Sequence, residues 1–201
     1  MNYAIIGFGR IGQALAKAFA RTSTEVAVAT TRNPESFASE AASIGPKVIA
    51  SKLADAIEAD IIFLAVRFEQ HPDVAKALAS WQGKTIVDMT NAYGVPPEKL
   101  GGQPSSKVVE QAFAGARLVK GFNHLGAPVL GQDPVVNGGR RVVFLASDDD
   151  AAAADVATLA ERLGFAPVKL GRLSEGGMLV QARGNSWGRL IFQDLIKSNN
   201  G

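Results

Sequence analysis

Cysteine is missing from all 201 residues, which removes disulfides, thiolate metal centres and cysteine nucleophiles together. Histidine occurs only twice, as His71 and His124, and two separated imidazoles make no metal-ligand set. An excess of one charge is lacking too: 21 Lys and Arg face 19 Asp and Glu, for a formal net charge of +2. Nucleic acid would call for a concentrated basic face. No apolar run approaches the roughly 18 residues that cross a bilayer. Ala18-Phe19-Ala20 imitates a signal-peptidase site, but Arg10, Lys17 and three glycines interrupt the apolar core such a leader needs. The expectation is a cytoplasmic protein with neither nucleic acid nor membrane as partner.

What is present is an ordinary globular composition, 47% hydrophobic and 20% charged, arranged as alternating short apolar runs and helical stretches. Strands are expected over residues 2–7, 25–30, 47–50, 60–66, 84–88, 117–122, 141–146 and 166–170. Helices are expected over residues 10–21, 33–44, 53–58, 70–81, 104–113 and 148–163, and a long C-terminal helix from 174 to about 197. Residues 126–139, rich in glycine and proline, read as one irregular loop. Apolar strands alternating with helices define a doubly wound, mostly parallel α/β sheet. No repeat or linker divides it. One domain, 1–201, is expected, with a dinucleotide-binding core over 1–123 and a C-terminal extension over 124–201 that completes the sheet and a substrate cleft.

Between the first strand and the first helix the chain reads Gly7-Phe8-Gly9-Arg10-Ile11-Gly12, with Ala16 beyond. This G-x-G-x-x-G lies in the strand-to-helix context the dinucleotide motif requires. Gly7 permits the tight turn, Gly9 lets a pyrophosphate approach the backbone, and Gly12 with Ala16 lets helix and strand pack closely. The helix N-terminus adds unpaired N–H groups and partial positive charge.

The next informative position is the end of the second strand, where an NAD site usually carries Asp or Glu for the ribose 2′-hydroxyl. Here the residues are Thr30-Thr31-Arg32-Asn33. Arg32 in isolation could be a solvated charge ahead of a helix. With the acid absent and two hydroxyls adjacent, a 2′-phosphate is the better partner, and the cofactor expected is NADP(H).

These stretches, with LAVRFEQ after the fourth strand, DMTNAYG after the fifth and VKGFNHLGAPVL after the sixth, resemble a family. It is the short NADP oxidoreductases typified by the deazaflavin (coenzyme F-420)-dependent NADP reductases, a group to which the reductase domain of the STEAP metalloreductases is related. The resemblance implies that Gly7, Phe8, Gly9, Arg10, Ile11 and Gly12 wrap the pyrophosphate, while Thr30, Thr31 and Arg32 hold the 2′-phosphate. It implies that Ala65, Val66 and Arg67 lie along the second ribose, and that Asn91, Asn123, Gly126 and Ala127 border the nicotinamide. Phe68, His124 and Leu125 would then wall the pocket of a small-molecule hydride acceptor, with flavin or deazaflavin the leading choices. Relatives often carry Pro-Trp where this chain has Arg67-Phe68, and Pro at Ala92, which leaves the acceptor open.

His71, at the start of an expected helix, reads as a surface residue. His124 is the candidate catalytic residue, able to donate to a substrate carbonyl or to the cofactor amide, although a loop histidine is more often structural. Arg67, Glu69 and Tyr93 are further polar candidates, and no metal is expected. The activity expected is NADPH-dependent hydride transfer. A non-catalytic NADPH-binding redox sensor would use the same glycines, and a soluble STEAP-like electron donor is a third reading. Apolar residues of the expected terminal helix, among them Leu179, Val180, Trp187 and Leu190, suggest a homodimer.

Overall fold

The apolar runs pair as parallel strands in a computed structural model, which describes residues 1–183, 186–187 and 190–198. The strands β1 (Tyr3–Ile6), β2 (Val26–Ala29), β3 (Val48–Ala50), β4 (Ile61–Leu64), β5 (Thr85–Asp88) and β6 (Arg117–Gly121) take the order β3-β2-β1-β4-β5-β6, all parallel. The helices between them are α1 (Arg10–Arg21), α2 (Ala38–Ile44), α3 (Leu53–Ala56), α4 (His71–Ala75) and α5 (Ser105–Ala112). This order reverses between β1 and β4, the place where an open α/β sheet forms its ligand crevice.

Beyond β6 come α6 (Ala127–Leu130), β7 (Val135–Val136), β8 (Gly139–Ser147), α7 (Asp150–Arg162) and β9 (Ala166–Lys169). Strand β8 extends the sheet antiparallel to β6, pairs in parallel with β9, and meets β7 at its beginning. The chain then makes α8 (Gly176–Leu179) and a small ladder of β10 (Ala182–Arg183) with β11 (Ser186–Trp187). It finishes as β12 (Ile196–Ser198), antiparallel to β8.

Both sheet faces are covered, as the continuous apolar strands require. Along β4, Ile61 and Phe63 join the core beneath α1, α2 and α7, while Ile62 and Leu64 join the one beneath α3, α4 and α5. In the first core Phe19, Phe63, Phe122 and Phe165 meet edge to face, with ring centroids 5.6–5.9 Å apart. That is the favoured aromatic geometry.

Several expectations need correction. The long C-terminal helix is absent among the described residues: α8 is four residues long, and strand follows where helix was expected. Glycines at 176, 177, 184 and 188 each cost about 1 kcal/mol in a helix, and a Cβ at Gly176 would stand 2.2 Å from the Leu170 carbonyl oxygen. The helix expected over 70–81 ends at Ala75, whose carbonyl accepts a 2.9 Å hydrogen bond from Trp81 Nε1. The loop 126–139 holds α6 and β7 rather than irregular chain. His71 is buried, its Nδ1 on the Phe68 carbonyl at 2.5 Å, not on the surface.

Candidate functional site

At the β1–α1 turn the three glycines have different surroundings. Gly7 takes φ +103°, and a Cβ there would lie 2.4 Å from the Ala65 carbonyl oxygen. At Gly12 it would lie 1.9 Å from the Gly7 carbonyl oxygen, so this position fixes the helix on the strand end. At Gly9 nothing comes within 4 Å. Gly9 is also the N-cap of α1, which has no side-chain cap and no acid in its first turn. Unpaired N–H groups with a positive end potential therefore face open space.

That space is a cavity of about 460 Å³, walled by Gly7, Phe8 and Gly9, by Thr30, Thr31 and Arg32, and by Ala65, Val66 and Arg67. Thr30 Oγ1 accepts the Arg32 backbone N–H at 2.9 Å, which shapes the turn after β2. The Arg32 guanidinium lies 5.2 Å from the Phe37 ring centroid and 3.8 Å from Glu40, half exposed and held at the rim. No acid stands at the end of β2.

A second cavity, about 370 Å³, opens beyond the carboxyl ends of β5 and β6, with Arg10, Ile11, Asn91, Tyr93, Asn123, Leu125, Gly126, Ala127 and Phe192 on its walls. Asn91 and Asn123 hold one another: Asn91 Nδ2 donates to the Asn123 carbonyl at 2.9 Å, and Asn123 Nδ2 donates to Asn91 Oδ1 at 3.0 Å. Asn123 Nδ2 also reaches the Val180 carbonyl at 2.7 Å, tying the site to the C-terminal segment. The preceding residue, Phe122, has a left-handed backbone at φ +59°, an uncommon conformation for a bulky side chain.

Under this wall lies an ion pair that reading the sequence missed. Lys120 and Asp88 face each other across β6 and β5, both fully buried, with Nζ 3.0 Å from Oδ2. Lys120 also donates to the Thr90 carbonyl. Asp88 Oδ1 accepts the Thr90 backbone N–H at 2.8 Å and the Thr90 hydroxyl at 2.7 Å. Burial pushes the lysine below its ordinary pKa, and Asp88 opposes that shift. The cluster fixes the turn that presents Asn91. The signal available was one lysine in RLVKGF, opposite the acid closing TIVD.

The expected cofactor residues, apart from Gly12, which packs on the strand end, thus fall around two cavities on one sheet end, and Leu125 reaches the second. His124 and Phe68 do not join them. His124 is fully buried, its ring 4.6 Å from Phe144, and it lines neither cavity. Burial pushes its pKa down to about 4. Phe68 packs on the His71 ring at 4.8 Å and is likewise buried. Among the described residues no group of three or more His, Asp or Glu is placed to hold a metal, and no helix is long and apolar enough to cross a membrane.

A sheet ordered 3-2-1-4-5-6, with a glycine turn open at the N-terminus of its first helix, defines a dinucleotide-binding Rossmann protein. Residues 2–92 match the family model described as NADP oxidoreductase coenzyme F420-dependent. Residues 2–92 carry the N-terminal part of a domain of this family of NADP oxidoreductases. It is similar to the hypothetical protein SMa0349 of Sinorhizobium meliloti, at 38% identity over 98% of this chain and 96% of that one, with a TM-score of 0.91. An Arthrobacter sp. FB24 protein assigned as an F420-dependent NADP reductase is 28% identical over 86% of each chain, with a TM-score of 0.69. Mouse metalloreductase STEAP2 is 30% identical over 174 residues, 85% of this chain and 33% of its own length. The chain therefore spans about a third of the length of the curated metalloreductases it matches.

Proposed function

We propose that this chain is an NADPH-dependent oxidoreductase that transfers hydride between the nicotinamide and a flat organic acceptor, flavin or deazaflavin. The observation that carries the reading is the open Gly9 cradle on an uncapped helix N-terminus, with Arg32 and not an acid at the end of β2. A Cβ at Gly9 would enter the space a pyrophosphate needs, so the residues present fit a dinucleotide. In this reading Gly7 to Gly12 wrap the pyrophosphate, Gly7 by making the turn with its N–H on the Ala29 carbonyl, and the residues after it through backbone N–H groups. Thr30, Thr31 and Arg32 hold the 2′-phosphate. Ala65, Val66 and Arg67 flank the sugar, and Asn91, Asn123, Gly126 and Ala127 border the nicotinamide.

Bound NADPH supplies the hydride; the protein binds, orients and keeps water out. No side chain need move a proton at the reacting carbon, which agrees with the burial of His124. The Asn91–Asn123 pair and the Lys120 cluster below it hold the far wall rigid, and rigid placement is what close approach of donor and acceptor requires. The STEAP relatives support a variant in which a bound flavin passes electrons on to a separate metal-reducing partner. A cytoplasmic location and a homodimer belong to the same reading. The exposure of Val135, Leu195 and Ile196, all beside the start of β8, supports the dimer.

The test is loss of nicotinamide absorbance when purified protein and NADPH meet flavin, deazaflavin or quinone. Acceptor-dependent oxidation is the expected result. If none of the acceptors produces it while NADPH still binds, the sensor reading replaces this one.

A further inference from the structure

The rim of the first cavity holds a carboxylate to which the hydride-transfer reading gives no role. Glu40, in the first turn of α2, has its Oε2 3.8 Å from Arg32 Nη2. Its other oxygen, Oε1, accepts a hydrogen bond from Gln13 Nε2 at 3.0 Å. The same Gln13 nitrogen, on α1, donates to the Phe8 carbonyl at 3.0 Å. Phe8 packs on Phe37 with ring centroids 5.6 Å apart, and Phe37 carries the Arg32 guanidinium 5.2 Å from its centroid. These contacts close a ring of five residues between the glycine turn and the end of β2. Phe8 and Arg32 line the cavity, whereas Gln13 and Glu40 stand behind them.

Phe8 and Phe37 are both buried, so stacking on Phe37 already sets where the guanidinium sits. The carboxylate adds a charge to a place that is fixed without it. Arg32 and Glu40 are each about half exposed, and an ion pair so placed contributes little to stability. Its consequence is for binding. A 2′-phosphate, with a charge of about −2 at neutral pH, draws on the guanidinium that Glu40 already balances. It also meets the carboxylate itself, which Gln13 keeps in place by one oxygen. An uncharged 2′-hydroxyl meets no such opposition. We infer that Glu40 sets the strength of 2′-phosphate discrimination, as a resident counter-ion of Arg32 that opposes the incoming phosphate, and that Gln13 is the positioning residue that holds it. This rests on the reading of Arg32 as the 2′-phosphate contact. The opposition acts on NADPH and NADP⁺ alike, and so eases the exchange of spent for fresh cofactor.

The test is calorimetric titration of NADPH and of NADH into wild type, Glu40→Gln and Arg32→Ala. Glu40→Gln removes the charge while leaving an amide oxygen to accept the Gln13 hydrogen bond. It should tighten NADPH about threefold, the scale of an exposed ion-pair interaction, and leave NADH affinity where it was. Because the groups are half exposed, the gain should shrink as salt is raised. Wild-type or weaker NADPH affinity in Glu40→Gln, with the NADPH preference lost in Arg32→Ala, would overturn the inference alone. An equal gain for NADH would overturn it too, since the effect would then owe nothing to the 2′-phosphate. An NADPH preference that survives Arg32→Ala would instead overturn the reading on which the inference rests.

Discussion

At Gly9 a methyl group would meet nothing within 4 Å, whereas at Gly12 it would stand 1.9 Å from a backbone oxygen. Substitutions at the two positions should therefore separate binding from folding. Gly12→Ala is expected to lower the melting temperature, because two backbone segments must part. Gly9→Val should keep the wild-type melting temperature and lose NADPH binding, since its side chain points into the cradle; calorimetry and thermal denaturation on both variants check this. Arg32 decides the cofactor. A hydrogen bond to a charged group is worth ~1.5–3 kcal/mol, and tenfold discrimination needs about 1.4 kcal/mol. Wild-type protein should bind NADPH at least tenfold tighter than NADH, and Arg32→Ala should erase most of that preference. His124 bears on pH. Its folded pKa, about 4, lies below the ordinary histidine value of 6.5, so between those limits the unfolded chain binds more protons. The native state is thus at its full histidine-linked stability above pH 6.5 and loses it as the pH falls toward 4, by up to ~3 kcal/mol. Urea midpoints at pH 7 and 4.5 should converge more closely in His124→Gln than in wild type; an equal drop in both would remove His124 as the cause.

Strands β5 and β6 carry the one fully buried ion pair among the described residues, Asp88 with Lys120. Removing one partner of such a pair costs about 3–5 kcal/mol, because a charge is stranded. Lys120→Met should lose that much by urea denaturation, and Lys120→Met with Asp88→Asn should regain a substantial part. A loss under ~1 kcal/mol in the single variant would mean that the pair does not brace the turn before Asn91. This pair also marks how far the sequence was legible. The six parallel strands, the glycine turn and Arg32 could all be read, because each is written in a local pattern: an apolar run, a spacing, an absent acid. Lys120 could not, since its meaning lies in the residue opposite on another strand. The terminal helix was misread because leucine and isoleucine spacing outweighed four glycines. His71 is buried because its ring packs on Phe68 and bonds the Phe68 carbonyl, a contact that no local pattern in the sequence announces. The histidine after Asn123 looked functional by its neighbours, yet its side chain points to Phe144.

For the whole molecule, Val135, Leu195 and Ile196 expose apolar surface beside the start of β8, and a second copy of the chain is the occupant we propose. Light scattering at micromolar concentration should report twice the 21.0 kDa chain mass; a particle of single-chain mass would refute the dimer without touching the chemistry. That chemistry depends on bringing two flat rings together in the cavity beyond the carboxyl ends of β5 and β6. Direct transfer can be followed atom by atom with NADPH deuterated at the reacting carbon and a deazaflavin, whose receiving position is a carbon that does not exchange with water. Mass spectrometry of the reduced deazaflavin should find one deuterium per molecule. Oxidation of NADPH that leaves the deazaflavin without label would contradict direct hydride transfer.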